Sequence, residues 1–188
     1  MANPELDVWV VGGDGDLLSI GGNHLMHALR RDTELNILLF NNAIYGLTKG
    51  QFSPASPIGT QSPSSPEGTV EKPVNAARLA LGSGATFVAR SADTTVKHLG
   101  DMLVRSHQHR GASLLESFQN CIVYNDAVWG GLSNKAARDE WAVFVRHGEP
   151  LVFGKSADKG LLWCGETGVF QLISGAPDEI AELSLIHI

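Results

Sequence analysis

The tract VWVVGGDGDLLSIGGNHLMHALRR, Val8 to Arg31, leaves few folds open. Three valines and a tryptophan run into paired glycines, and Leu25, Met26 and Leu29 then recur at helical spacing. A short run rich in β-branched residues reads as a buried strand, and a glycine turn leading straight into a helix is the first half of a βαβ unit. Ser19 is placed to cap that helix. The alternation continues. Ile37–Phe40 reads as a strand, and Asn75 to Leu81 as a helix closed by Gly82. Thr86–Arg90 is a third strand, followed by a helix capped by Asp93 or Thr94 that runs to about Arg110, with Gly111 after it. Leu114–Phe118 is a fourth strand. The expected fold is α/β, a Rossmann-like doubly wound parallel sheet.

Residues 43 to 73 have no period and carry five prolines, Pro54, Pro57, Pro63, Pro66 and Pro73. A loop of that length inside a compact domain is functional or ordered by a partner. After Asn125 the character changes. Ala136 to Val145 reads as a short helix, and Leu151–Phe153, Leu161–Trp163 and Val169–Ile173 as short strands. The expected organisation is a cofactor-binding domain over 1–126, with 127–188 a C-terminal appendage of the same domain. The last six residues, LSLIHI, read equally as a natural tail or as a translated sequencing adapter. A net charge of -6 gives no footprint for nucleic acid or an acidic membrane. No apolar run approaches the roughly 18 residues of a membrane span. The polar start MANPELD shows no secretory signal, and Cys121 and Cys164 make no disulfide framework, so a cytoplasmic location is expected.

The glycines after the first strand allow backbone N–H groups to approach a phosphate. They do not explain Asp14 and Asp16. A carboxylate beside a diphosphate repels it unless a cation lies between, and Mg²⁺ fills that role with one or two protein oxygens plus phosphate oxygens. Further oxygens stand at the end of the next strand, in LLFNNAIYGLTKGQFSP, where Asn41 and Asn42 leave the sheet. Neighbouring parallel strands end at one edge, where ligands bind. An Asn42 side-chain oxygen and the Ile44 carbonyl are therefore expected to face Asp14 across a metal ion.

Gly13-Asp14-Gly15 followed by Asn41-Asn42 resembles the thiamine diphosphate motif, and the longer pattern GDGD…SIGGNH…NNAIYGLTKGQFSP resembles the β subunit of 2-oxoacid:ferredoxin oxidoreductases, in particular the 2-oxoglutarate-type branch. The resemblance is clear from about Asp7 to Asp126 and weak beyond. It implies that Asp14, Asn42 and the Ile44 carbonyl bind Mg²⁺. It implies that Gly13, Gly15 and Asp16 line the diphosphate, and that Tyr45, Gly46, Leu47 and Thr48 lie over the cofactor. Leu47 and Lys49 would stand near the substrate side chain, where a lysine suits the distal carboxylate of 2-oxoglutarate. Partners implied are an α subunit carrying the glutamate that activates the cofactor, ferredoxin, coenzyme A and the 2-oxoacid. No catalytic side chain is expected in this chain, which alone should be inactive. Cys121 stands where iron–sulfur members hold a [4Fe–4S] cluster, but such a cluster needs four thiolates. Cys164 lies in the variable tail, and the family's other cysteines precede the diphosphate turn. The chain therefore reads as a fragment lacking the start of the subunit, with Cys121 a free thiol.

His24 and His27, and His107 and His109, form close pairs that read as surface or packing residues sooner than metal ligands. Glu116 ends the fourth strand on the ligand edge, with a cofactor-side or a structural role. Trp129, Trp141 and Trp163 are expected in a core or an interface. The GDGD run also resembles the acidic loop of haloacid-dehalogenase phosphatases, which need an aspartate on an earlier strand. An EF-hand fails for want of oxygens at its later positions. Two alternatives stay open: a non-redox thiamine diphosphate decarboxylase or synthase subunit, and a non-catalytic binding module that keeps the fold.

Overall fold

The structure, a computed structural model, describes residue 3, residues 5–134 and residues 137–183. The chain divides into two compact units, Met1–Ser133 and Asn134–Ile188. The first is a four-stranded parallel sheet in the order β1-β2-β4-β3, formed by β1 (Trp9–Gly13), β2 (Leu35–Asn41), β3 (Phe87–Ala92) and β4 (Ala112–Phe118). The helices are α1 (Asp14–Leu18), α2 (Gly22–Arg30), α3 (Ala76–Gly82) and α4 (Val96–Gln108). The crossovers β1→β2 and β2→β3 advance across the sheet and β3→β4 returns. Right-handed connections therefore put α2 and α3 on one face and α4 on the other, which is double winding. Ile37, Leu39, Ala112 and Leu114 pack against Leu25, Leu29, Ala76 and Ala80 of α2 and α3 as the core.

The expected elements are present, with corrections in this unit. β1 is at the sheet edge, and Trp9, Val10 and Val11 are exposed, so the run read as buried is not buried among the described residues. Ser19 does not cap a helix N-terminus: the helix breaks after α1, Ser19 is its C-terminal cap, and α2 starts after Gly21 with no side-chain cap. The bend brings Gly21 against the preceding turn, where a Cβ would lie 3.2 Å from Leu17 Cα and closer still to the Asp16 carbonyl oxygen, so only glycine fits there. Helix α4 starts at Val96, and Thr95, not Asp93 or Thr94, precedes it. Helix α3 runs one residue later than expected: Asn75 precedes it as a cap, its side chain accepting from Arg78 N at 2.9 Å, and Gly82 is its last residue, with Ser83 as the C-terminal cap.

The proline-bearing stretch lacks regular elements but is tied by backbone bonds, Gly59 N to Thr69 O at 2.7 Å, Thr69 N to Thr60 O at 3.0 Å and Val74 N to Pro54 O at 2.7 Å. It buries Ser53, Ala55 and Ser56.

In the second unit β5 (Val152–Phe153), β6 (Lys159–Cys164) and β7 (Val169–Ser174) form an antiparallel sheet, and α5 (Pro177–Leu183) follows. Among the described residues, Leu151 and Ile180 are its buried apolar side chains. The helix expected over Ala136–Val145 is reduced to one 3₁₀ turn, Arg138–Glu140; Ala136 itself lies outside the described residues. Glu140 at the end of that turn forms an ion pair with Lys159 of β6. Trp141 is largely exposed, and Trp163 is about half exposed with its ring edge-on to Phe170. Of the tail LSLIHI, all but Leu183 lies outside the described residues. No described helix is long and apolar enough to cross a membrane.

Candidate functional site

β1 and β2 pair with Gly13 opposite Phe40, so Asp14 and the Asn41-Asn42 pair leave the same, carboxyl edge of the sheet side by side. Asp14 is 1% exposed. Its Oδ1 accepts from Asn42 N at 3.3 Å, and its Oδ2 accepts from the Ser53 hydroxyl. No lysine, arginine or histidine pairs with it among the described residues. Burial pushes its carboxyl above the usual carboxylate range, and the bonds from Ser53 and Asn42 only partly offset this.

The residues after Asn41 turn sharply, with Ala43 at φ +53. Three carbonyls follow, and two are occupied. Asn125 Nδ2 donates to the Asn42 carbonyl at 2.9 Å and the Ala43 carbonyl at 3.2 Å, and the Ser56 hydroxyl donates to the latter at 2.6 Å. No described hydrogen bond ends on the Ile44 carbonyl. Asn42 Oδ1 accepts only a long bond from Ile44 N, 3.3 Å, leaving lone-pair capacity free. The donor set fits a hard divalent cation: one buried carboxylate lacking a positive partner, one amide oxygen and one free carbonyl.

Gly15 completes the cradle. The Tyr45 hydroxyl donates to the Gly15 carbonyl at 2.7 Å, and a Cβ on Gly15 would lie inside contact distance of the Tyr45 ring, 2.7 Å from Cζ. Asp16 is exposed, with its Oδ2 against Gly13. Tyr45 and Gln51 form a bridge that closes a turn over Gly46, Leu47, Thr48 and Lys49. The last three are exposed, Leu47 at 98%, and Lys49 has φ +71. Gly50 sits under Tyr124 of a second turn, closed by the Cys121–Asn125 bridge. Cys121 is a half-buried free thiol.

Glu116 does not end β4: it is the fifth of seven residues and fully buried. Trp129 packs tilted against Phe118 with centroids 4.7 Å apart, and its Nε1–H donates to the Asn41 carbonyl at 2.8 Å. His109 is engaged by Thr86, and His107 lies 3.9 Å from Asp7. Ser53, Ser56 and Asn125 were missed in the sequence, where nothing ties an isolated serine or asparagine to an acid many residues away. Ser53→Ala should weaken magnesium binding about tenfold, as expected for loss of an outer partner of a ligand. Titration with Mg²⁺ at saturating thiamine diphosphate measures it, and unchanged affinity refutes a role for the hydroxyl.

The parallel sheet, with a glycine turn and a polar cradle at its carboxyl edge, is that of an α/β cofactor-binding domain. Residues 1–117 match the family described as thiamine pyrophosphate enzyme, C-terminal TPP binding domain, and the chain belongs to that family. It is 51% identical over 158 residues to the 2-oxoglutarate oxidoreductase subunit KorB of Mycobacterium tuberculosis, covering 84% of this chain and 42% of that one. It is 37% identical to the 2-oxoacid:ferredoxin oxidoreductase subunit beta of Saccharolobus solfataricus, covering 98% of this chain and 64% of that one. A solved 2-oxoglutarate:ferredoxin oxidoreductase from Magnetococcus marinus, with 2-oxoglutarate, coenzyme A and succinyl-CoA bound, superposes with a TM-score of 0.70 at 30% identity, over 97% of this chain and 62% of that chain. The expected family and fold class are thus borne out. The chain spans less than two thirds of the length of each of these relatives.

Proposed function

We propose that the chain is the diphosphate-binding part of the β subunit of a 2-oxoacid:ferredoxin oxidoreductase, holding thiamine diphosphate through Mg²⁺ and acting on 2-oxoglutarate with an α subunit, ferredoxin and coenzyme A. The observation that carries the reading is Asp14: a buried carboxylate with no cation beside it among the described residues, bonded to the N–H of Asn42, which lies two residues before an Ile44 carbonyl on which no described hydrogen bond ends. Asp14 Oδ1, Asn42 Oδ1 and the Ile44 carbonyl would hold the metal, and Gly13, Gly15 and Asp16 would line the diphosphate. Bound thiamine diphosphate supplies a nucleophilic carbon and an electron sink for decarboxylation of a 2-oxo acid. Tyr45 anchors the covering turn to Gly15, and Asn125 and Ser56 hold the two carbonyls that do not ligate. In the assembled enzyme the two electrons released would go to ferredoxin and the acyl group to coenzyme A; Cys121, a half-buried free thiol here, would supply one of the four thiolates that a [4Fe–4S] cluster needs. The reading is tested by combining the chain with the α subunit, Mg²⁺ and thiamine diphosphate, and assaying 2-oxoglutarate- and coenzyme A-dependent ferredoxin reduction. Magnesium-independent cofactor binding, or none, refutes it.

Substrate choice is assigned to Lys49, exposed on the covering turn and free of ion pairs among the described residues. Lys49→Ala should lower kcat/KM for 2-oxoglutarate roughly ten- to a hundredfold, the loss of one charge-assisted bond of about 1.5–3 kcal/mol. Pyruvate, with no distal charge, should change much less. An equal loss on both substrates removes Lys49 from recognition.

A further inference from the structure

We propose that Glu116 is a positioning residue for the metal-binding turn: its buried carboxylate, clamped by Arg90, sets the orientation of the Asn41 amide, and Asn41 holds the left-handed Ala43 between the two oxygens assigned to magnesium. The proposal rests on the reading of Asp14, Asn42 and Ile44 given above.

Glu116 lies in register between Leu39 of β2 and Arg90 of β3, on the face whose other members, Ile37, Leu39 and Leu114, are core. A carboxylate on such a face costs stability that an aliphatic side chain would not. It has two partners. Arg90 Nε donates to Oε2 at 2.6 Å, and Asn41 Nδ2 donates to Oε1 at 2.7 Å. The far end of the same amide, Asn41 Oδ1, accepts from Ala43 N at 3.1 Å. A primary amide has one donor end and one acceptor end, whereas a carboxylate only accepts. Glu116 therefore draws Nδ2 to itself and leaves Oδ1 facing the Ala43 N–H. Ala43 at φ +53 is unfavourable for a residue with a Cβ, and such a conformation persists only when its surroundings hold it. The Asn41 backbone is also fixed, its carbonyl accepting from Gln119 N at 2.9 Å and Trp129 Nε1 at 2.8 Å. Release of the Ala43 N–H lets the turn relax and takes the Ile44 carbonyl and the Asn42 side chain away from Asp14.

The test uses amide chemistry. In Glu116→Gln one oxygen must serve two donors. Arginine takes it, because the charge-assisted bond is stronger. The glutamine NH₂ then faces Asn41, the Asn41 amide flips, and the Ala43 bond is lost. In Arg90→Glu with Glu116→Gln, the carboxylate introduced on β3 accepts from the NH₂ of the introduced glutamine, so the oxygen of that glutamine returns to Asn41. Two readouts are taken on the full chain: Mg²⁺ affinity at saturating thiamine diphosphate, and hydrogen exchange of the Ala43 amide without cofactor. Glu116→Gln should bind Mg²⁺ about 10–100-fold more weakly and exchange Ala43 faster. The double variant should restore both despite lacking the original ion pair. Unchanged affinity and exchange in a folded Glu116→Gln chain overturn the proposal, as does a double variant as defective as the single. If Glu116→Gln does not fold, Asn41→Leu is added to the double variant: loss of affinity and of Ala43 protection supports the relay, and no change overturns it. Failure of the wild-type chain to bind Mg²⁺ with the cofactor is a failure of the earlier reading, and Ala43 exchange still decides whether Glu116 holds the turn.

Discussion

Asp14→Asn abolishes magnesium-dependent thiamine diphosphate binding and leaves the cofactor-free chain at least as stable as wild type. The two halves have one cause. Asp14 is buried with hydrogen-bond donors but no cation, and burial is the largest influence on its carboxyl, raising it above an ordinary value near 3.8. A raised carboxyl means that the folded chain holds its proton more tightly than the unfolded chain does. The group's contribution to stability is therefore fully present below the unfolded value and falls as pH rises through the folded one. At neutral pH the charged form is a cost that asparagine avoids. The asparagine amide can still meet the Ser53 hydroxyl and the Asn42 N–H. Once Mg²⁺ is present the sign reverses, because the charge that burdens the free chain is the charge the cation needs. Loss of a direct carboxylate ligand should exceed the roughly 10–100-fold typical of outer partners. Wild type should gain about 2.7 kcal/mol at a hundred times Kd of cofactor, and Asp14→Asn should gain nothing. Thermal unfolding across the acid-to-neutral range, with and without Mg²⁺ and thiamine diphosphate, reads both effects. Equal affinity in the variant, or a variant that unfolds far more readily without cofactor, contradicts the account.

The four parallel strands were legible because each is a short apolar run bounded by glycine or polar residues, and the Gly13-Asp14-Gly15 turn because acids in a phosphate-type turn call for a cation. Pairing of Asp14 with Asn42 followed from parallel strands sharing one edge. The rest failed for physical reasons. Ser53 reaches Asp14 through a loop without period, so no pattern records the contact. Asn125 reaches the Asn42 and Ala43 carbonyls from a turn beyond β4 in the same way. The end of the fourth strand at Phe118 is legible, and Glu116, expected at that end, lies two residues inside it. The helix expected at 136–145 is a single 3₁₀ turn, and α5 escapes the sequence pattern because its seven residues, the first of them Pro177, carry too little periodicity.

Gly15→Ala should be the most damaging single-methyl change in the cradle. The added Cβ would fall within the Tyr45 ring, 2.7 Å from Cζ with other ring atoms nearer still. The ring cannot swing aside freely, because its hydroxyl is bonded to the Gly15 carbonyl at 2.7 Å and its backbone is bridged to Gln51. Relief requires that bond to break and the 45–51 turn to shift. Overpacking of this kind costs about 1–3 kcal/mol. Tyr45 directly follows Ile44, so the shift also displaces the carbonyl assigned to the metal, and cofactor affinity should fall with stability. A double-mutant cycle separates this clash from any direct contact of residue 15 with the diphosphate. If the ring is the obstacle, Gly15→Ala adds almost no loss of stability once Tyr45 is alanine, a coupling of about 0.5–3 kcal/mol. Tyr45→Phe, which keeps the ring and removes only the hydroxyl bond, should cost about 0.5–1.5 kcal/mol and leave Gly15→Ala still harmful. Additive stability losses in the Gly15→Ala, Tyr45→Ala pair would show that the methyl meets something other than Tyr45. A cofactor affinity that stays lost after stability is restored would place the Gly15 backbone itself against the diphosphate.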